Sequence, residues 1–327
     1  MKHGILLVND GVPAEDSPEA LRRYAETILG TDLFTEGLGI VNGGMFKKIT
    51  IPAKAKAWRN HFFPGDRDVI GEYRATAESL RSKLSAYLAT SSRKDCAVAM
   101  GFRCGSPSLA DAAARLKEER CDSILIVPLH PLYFKPLTDP ALADARRAIE
   151  QAADARWSPK VKELLSFCEA PGFAKTLADR IMQDWQPRSV SRLLLLMPSQ
   201  PRLLSDSDKT FAKQVEHLKT QLEKLLSLGY ERIHIAYVSD FDNSKWTGPF
   251  AEKTLMGWIG GAVKDVRAAS PVFCAADPLG DYDAGFKIGE FFVANSAGKR
   301  PEYRFVPGFG DDDGFVKVLG GAIAKAL

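Results

Sequence analysis

The chain has few cysteines, no long apolar run and little net charge. Its 327 residues include five cysteines, and none of them forms a Cys-x-x-Cys pair. An odd number of widely spaced cysteines favours reduced thiols over a disulfide framework. No apolar run approaches the length of a membrane-spanning helix. The formal net charge of +3 is too small to predict a nucleic-acid partner.

Two further absences concern targeting and metal binding. The N-terminus, Met-Lys-His-Gly-Ile-Leu-Leu-Val-Asn, becomes polar too early for a signal peptide, so we expect a cytoplasmic protein. The five histidines form no His-x-x-x-His or similar pair, so their spacing predicts no metal site.

Short apolar segments alternate with helical patterns along the whole chain. Such segments occupy residues 4–8, 96–101 and 123–129, and again 192–197, 232–238 and 271–275. This alternation predicts an α/β protein with two doubly wound parallel sheets. Ser158-Pro159 interrupts the pattern between the two sets. The predicted domains are therefore 1–157 and 158–327, and the last helix is a candidate for packing back on the first half.

The stretch from Val238 to Thr254 follows the fifth of these strands. It is polar, with Gly248 and Pro249, and it contains Trp246. Open α/β sheets bind ligands at the carboxyl ends of their strands, and an indole ring offers a flat apolar face to a planar ligand. The alternative is that Trp246 fills a core, and the residues alone do not decide between the two.

Several of these motifs resemble the ferrochelatase family, whose members insert iron into a porphyrin. The family pattern Leu-Leu-Val-Asn-Leu-Gly-Thr-Pro is similar to the start of the chain, and Met-Arg-Tyr-Gly-Asn-Pro is similar to Phe102–Pro107. The family's Val-Arg-Arg-Tyr is similar to residues 21–24 after the first strand, and further matches follow the fifth strand. Residues in register with the family are Leu6, Leu7, Val8, Asn9, Gly11, Pro13, Arg22, Arg23, Tyr24, Arg103, Gly105, Pro107, Ser239, Trp246, Pro249, Thr254 and Leu255.

The resemblance implies two flavodoxin-like or Rossmann-like halves with a cleft between them, as in chelatases. It implies an apolar lip at about 33–63, a porphyrin or haem as ligand, and ferrous iron as a second substrate. The resemblance is also compatible with a protein partner in the haem pathway, which the residues do not identify. Some family members carry an iron–sulfur cluster on C-terminal cysteines; here the last cysteine is Cys274, so we expect no cluster and no required cofactor. The implied porphyrin-binding residues are Asn9, Met45, Phe46, Tyr133, Ser239, Trp246 and Asp277.

The resemblance fails at the two residues that carry the family's chemistry. The family's His in Phe-Ser-Ala-His-Gly-Leu-Pro corresponds to Gln200, and its Glu in Ser-Asp-Cys/His-Leu/Ile-Glu-Thr-Leu corresponds to Gly280. Glutamine does not exchange a proton at accessible pH, and glycine has no side chain. His130, which stands where the family has a tyrosine, and Asp281 are the candidates for displaced catalytic residues.

The sequence thus predicts a porphyrin- or haem-binding protein linked to haem metabolism, with weak or absent metal insertion. One alternative is an active chelatase that works through His130 and Asp281. A second alternative is an enzyme that uses the same cleft for an unrelated small substrate.

Overall fold

A computed structural model describes residues 2–35, 40–91, 95–239, 245–259, 261, 263–273, 280–296 and 302–327. The chain divides into two compact units, the first comprising Met1–Pro171 with Gly310–Leu327 and the second Gly172–Phe309. The sequence placed the boundary at 157/158. In the structure the strand Lys160–Glu163 pairs in parallel with Ser123–Ile126, so it belongs to the sheet of the first unit.

The described residues form eight strands and the helices between them. The strands are β1 His3–Gly11, β2 Cys96–Cys104, β3 Ser123–Pro128, β4 Lys160–Glu163, β5 Ser191–Pro198, β6 Ile233–Val238, β7 Asp265–Ala269 and β8 Glu302–Val306. The α-helices are α1 Pro18–Leu29, α2 Asp32–Thr35, α3 Ile40–Met45, α4 Ile51–Phe62, α5 Val69–Ser91, α6 Leu109–Glu118, α7 Lys135–Ala152, α8 Phe173–Met182, α9 Arg202–Ser207, α10 Thr210–Leu226, α11 Ala251–Trp258, α12 Ile288–Asn295 and α13 Asp313–Ala326. Phe46–Thr50 and Asp281–Lys287 are π-helical, and Tyr230–Arg232 is a 3₁₀ turn.

The first unit contains a parallel sheet with the strand order β2-β1-β3-β4. β1 is buried along its full length, as its apolar sequence predicts. Local sequence signals set the starts of the helices. Ser17 caps α1 by accepting a hydrogen bond from the Ala20 N–H at 3.2 Å, and Ser108 forms a capping box with Asp111 at the start of α6.

The last helix belongs to the first unit. α13 packs against α5, and a Cβ atom added at Gly320 would lie 2.3 Å from the Tyr87 ring. The absence of a side chain at Gly320 therefore permits the close approach of the two helices.

The second unit contains a parallel sheet with the strand order β6-β5-β7-β8. The predicted strand at 271–275 is wrong, because the strand is β7 at Asp265–Ala269 and residues 271–273 form a turn. β7 was not predicted from the sequence because its charged residues Asp265 and Arg267 interrupt the apolar pattern. Both are nevertheless buried, at 8% and 4% exposure.

The two parallel sheets with their flanking helices confirm the predicted α/β class. Each sheet has its own buried cluster of apolar side chains, one around Leu6 and Ile126 and the other around Leu194 and Val266. Within the described ranges, no helix combines the length and the apolar character that crossing a membrane requires.

Candidate functional site

A buried ionic network lies at the carboxyl end of the first unit's sheet. Asp10 is the second-last residue of β1. Arg103 is the second-last residue of β2, which is the neighbouring strand in the sheet. The Arg103 Nη1 atom donates to Asp10 Oδ1 at 2.9 Å, and its Nε atom donates to Asp144 Oδ2 of α7 at 2.9 Å. The Arg103 and Asp10 side chains are 3% and 4% exposed. Two strand ends and α7 are therefore joined by a single guanidinium group.

His130 joins this network from the loop after β3. Its Nε2 atom lies 3.3 Å from Asp10 Oδ2, and the residue is 5% exposed. Burial by itself would raise the pKa of Asp10, but the His130 hydrogen bond and the Arg103 charge hold that pKa at about 2. Asp10 is thus ionised at neutral pH and can only accept, so His130 donates to it from Nε2.

The other ring nitrogen of His130 has no such contact. Nδ1 is enclosed, and no hydrogen-bond partner for it exists in the part of the chain that the structure describes. In the neutral imidazole that donates from Nε2, the lone pair lies on Nδ1. An imidazole oriented by a carboxylate is a suitable base or metal ligand.

The predicted binding residues of the first unit have different surroundings. The Asn9 side-chain oxygen accepts hydrogen bonds from Tyr73 Oη at 2.5 Å and from the Gly11 N–H at 3.2 Å. Tyr133 Oη donates to Asp139 Oδ1 at 2.7 Å. Asn9 therefore fixes the end of β1, and its role toward a ligand stays a prediction, as does that of Tyr133.

Two residues of the predicted lip, at about 33–63, are described at the junction of α3 and the π-helical segment. Met45 is 55% exposed, whereas Phe46 is 4% exposed. Met45 therefore presents an apolar side chain to solvent and Phe46 does not. Residues 36–39 of the lip lie outside the described residues.

In the second unit, the loops after β5 and β6 are joined by hydrogen bonds. The Ser199 N–H donates to the Val238 carbonyl at 2.9 Å, and the Arg202 N–H donates to the Lys245 carbonyl at 2.7 Å. The Gln200 carbonyl accepts from both the N–H and the hydroxyl of Thr247, at 2.9 and 3.0 Å. Neighbouring strand ends are thus held together at the place where parallel sheets bind ligands.

The Trp246 side chain is buried within this pair of loops. It is 4% exposed, and Trp246 bridges to Pro201. Its ring is therefore not an open surface for stacking, and this burial favours the core alternative without testing a role in binding. Ser239 directly follows β6 and is half-buried, while Asp277 lies outside the described residues.

Gly280 and Asp281 also belong to the second unit, whereas His130 belongs to the first. Gly280 has φ −59° and ψ −43°, which any residue can adopt. A Cβ atom at Gly280, however, would lie 2.4 Å from the Cβ atom of Phe273. Asp281 is half-buried and begins the π-helical segment. Phe273 therefore occupies the space that a side chain at 280 would need.

Sequence reasoning missed Asp10 and Asp144 as members of the site, and it noted Arg103 only as part of a motif. A signal for Asp10 was present, since it is a charged residue two positions after the apolar run Gly4–Val8. Asp144 offered no such signal. It lies within a helix, and only the tertiary structure brings it to Arg103.

The two parallel sheets, with polar residues at their carboxyl ends, define an α/β protein of the class that commonly binds ligands at the ends of its strands. The fold is similar to that of SirB from Bacillus subtilis with Fe3+, with a TM-score of 0.57, 12% identity, and 100% of this chain and 96% of that chain covered. Residues 2–327 match the family model Ferrochelatase. The chain therefore belongs to the ferrochelatase family.

Individual relatives agree with this assignment. A ferrochelatase of Vibrio vulnificus strain YJ016 is 24% identical over 323 residues, covering 97% of this chain and 96% of the relative. A ferrochelatase of Azoarcus sp. strain BH72 is 27% identical over 282 residues, covering 83% and 74%. The resemblance expected from the motifs is confirmed, and it links this chain to tetrapyrrole-related metal chelation.

Proposed function

We propose that this protein binds a porphyrin or haem and inserts metal into it weakly or not at all. The observation that carries the proposal is the pair Gln200 and Gly280 at the positions of the family's histidine and glutamate. The protein would act in the cytoplasm as a carrier, a regulator or a partner of an active chelatase. It would need no resident cofactor and no iron–sulfur cluster.

The chemistry of metal insertion explains why these two positions matter. Protons must leave the pyrrole nitrogens before a divalent metal can take their place. A positioned base or acid typically accelerates such a transfer by about a hundred- to ten-thousand-fold. The amide of Gln200 offers no exchangeable acid–base group, and Gly280 offers no side chain. Neither position can contribute that factor.

The packing around Gly280 supports the loss of function at this position. Phe273 fills the space next to the Gly280 Cα atom. Gln200 is likewise buried, at 5% exposure, and its carbonyl is used by Thr247. Both positions are therefore enclosed by neighbouring residues. In an open active site that had only lost its two catalytic side chains, the space around these positions would be empty.

The second candidate function is metal insertion through displaced residues. It is favoured by His130, whose Nε2 atom is held by Asp10 and whose Nδ1 atom has no partner among the described residues. This nitrogen has the chemistry of a general base and of a metal ligand. Asp281 would take the place of the family's glutamate, as the sequence predicts.

An absorbance experiment separates the two candidates and also tests ligand binding. The purified protein is titrated with protoporphyrin and with coproporphyrin, and the Soret band reports binding. We expect saturation at micromolar ligand, which corresponds to about −8 kcal/mol. Absence of saturable binding would contradict both candidates and favour an unrelated small substrate.

Ferrous iron or zinc is then added, and metallation is followed in the visible bands. We expect no insertion above that of free porphyrin. If insertion occurs at rates typical of enzymes, the proposal is wrong, and His130→Ala should abolish the activity. His217→Ala, which removes an exposed histidine of α10, is the matched control.

A further inference from the structure

A cavity of about 510 Å³ lies at the amino-terminal end of the second unit's sheet. Its walls come from the segment Asp184–Arg188 before β5 and from the first residues of β7 and β8. Gln200 and Trp246 follow the opposite, carboxyl ends of the strands. The cavity is therefore separate from the candidate site described above, and its volume is that of a small-molecule site.

The floor of the cavity contains a buried cation. Arg267 is 4% exposed, although it is the central residue of β7. In the register of the sheet it stands directly opposite Arg304 of β8. Like charges opposite each other on neighbouring strands are destabilising. The pKa of Arg267 is accordingly lowered, first by burial and then by the charge of Arg304.

The guanidinium of Arg267 is poorly satisfied by the protein. Its Nη2 atom donates to the Asp184 carbonyl at 3.2 Å. Its Nε atom is enclosed, and the described residues provide no acceptor for it. They also place no carboxylate in an ion pair with Arg267. A buried guanidinium whose N–H groups lack acceptors destabilises the fold unless an anion or a water molecule accepts hydrogen bonds from them.

The nearby carboxylates of Asp265, Asp184 and Glu302 raise the pKa of Arg267 through their charge, but among the described residues none of them forms an ion pair with its guanidinium. The buried carboxylate of Asp265 accepts hydrogen bonds from Trp185 Nε1 at 2.7 Å and from Ser191 Oγ at 2.5 Å. The Asp184 carboxylate lies 3.9 Å from Arg304, and both of these side chains are more than 60% exposed. The Trp185 ring is 5.5 Å from the Arg267 guanidinium, a cation–π contact that compensates the charge only in part.

The lining also limits the kind of anion. Asp184, Asp265 and Glu302 balance the three arginines, so the cavity as a whole carries no large positive charge. The acidic side chains disfavour a polyphosphate more strongly than a single carboxylate, because the repulsion grows with the charge of the ligand. A single carboxylate, by contrast, matches the planar donor pair of a guanidinium, and Trp185 and Pro187 offer apolar surface for the rest of the molecule.

We infer that this cavity binds a small organic monocarboxylate, with its carboxylate on Arg267 and its apolar body beside Trp185 and Pro187. The site is independent of tetrapyrrole binding, since it lies at the other end of the strands. It gives the second unit a means of sensing a small metabolite while its carboxyl edge holds another ligand.

The test is a calorimetric titration of the full-length protein with benzoate, and separately with inorganic phosphate. We expect saturable benzoate binding in the millimolar range and weaker binding of phosphate. Arg267→Lys, which keeps the charge but loses the planar donor pair, should weaken benzoate binding by about tenfold. Lys175→Gln removes an exposed positive charge of α8 outside the cavity and should leave binding unchanged.

A second variant guards against misfolding of Arg267→Lys. Arg304 is 61% exposed, so Arg304→Gln should fold, and it should weaken benzoate binding by a few-fold through loss of one positive charge. Absence of benzoate binding to the unmodified protein would overturn the inference. Equal binding by the Arg304→Gln variant, or tighter binding of phosphate than of benzoate, would overturn it as well. Porphyrin titrations of the same variants should match the unmodified protein.

Discussion

Replacing Asp10 by asparagine should destabilise the protein in a way that depends on pH. Asp10 is buried between Arg103 and His130, and asparagine keeps its shape while removing the charge. Removal of one partner from a buried ion pair typically costs about 3–5 kcal/mol, because the other charge loses its compensation. Asp144 still pairs with Arg103 in the variant. We therefore expect a loss of about 2–4 kcal/mol in the free energy of unfolding at neutral pH.

The pKa of Asp10 sets the size and the sign of the pH dependence. It is about 2 in the folded protein, against 3.8 for an unperturbed aspartate. At roughly 1.4 kcal/mol per pKa unit, ionisation of Asp10 stabilises the fold by about 2 kcal/mol. Since the folded-state pKa is the lower one, this stabilisation is complete above about pH 5 and is lost as the pH falls toward 2. Roughly half of it should be gone at about pH 3.

Urea unfolding of the unmodified protein and of Asp10→Asn, at about pH 7 and about pH 3, measures this effect. The difference between the two proteins should shrink by about 1 kcal/mol at the lower pH. Asp16→Asn is the control, since Asp16 pairs with Arg59 at the surface, where such a pair contributes less than about 1 kcal/mol. A difference that is the same at both pH values would refute the account of Asp10 as an ionised, charge-stabilised group.

Three further predictions concern other parts of the chain. Trp246→Ala should lower the free energy of unfolding by about 3–5 kcal/mol in urea, because its ring is 4% exposed, and a loss below about 1 kcal/mol would contradict a core role. Gly280→Ala should lower the free energy of unfolding by about 1–3 kcal/mol, because its Cβ atom would meet Phe273 at 2.4 Å, whereas Gly321→Ala in α13 has no atom within 4 Å and should be neutral or stabilising. Equal effects of the two glycine substitutions in a thermal melt would contradict this packing argument. Ser108→Ala should cost about 1 kcal/mol through loss of the capping box at α6, and no change in urea unfolding would contradict that role.

The α/β fold was readable from the sequence because most strands are buried on both faces. Such strands appear as short apolar runs, and Gly4–Val8 and Arg192–Met197 mark β1 and β5 correctly apart from their ends. β7 was not readable in this way. Its Asp265 and Arg267 are buried through contacts with residues far away in sequence, including Trp185. A local sequence pattern cannot predict the burial of a charged residue whose partners come from another segment.

The candidate site was readable only in part, for a related reason. The motifs placed His130 and Trp246 in loops after strands, and the structure confirms those positions. They could not show that His130 contacts Asp10, or that Trp246 is enclosed by the loop after β5. Nor could they show that the obstacle to a side chain at Gly280 is Phe273, since the backbone of this residue is helical and would accept any residue.

The two carboxyl edges differ in the chemistry that they retain. The described edge of the second unit has neutral Gln200 and glycine at the family's two catalytic positions. That of the first unit has an ionised Asp10, Arg103 and a histidine whose Nδ1 atom has no partner among the described residues. Any residual metal insertion should therefore depend on the first unit. It should fall in Asp10→Asn as well as in His130→Ala, because the Asp10 carboxylate accepts from Nε2 and so orients the His130 ring. Residual insertion that survives both substitutions would exclude the network as its source.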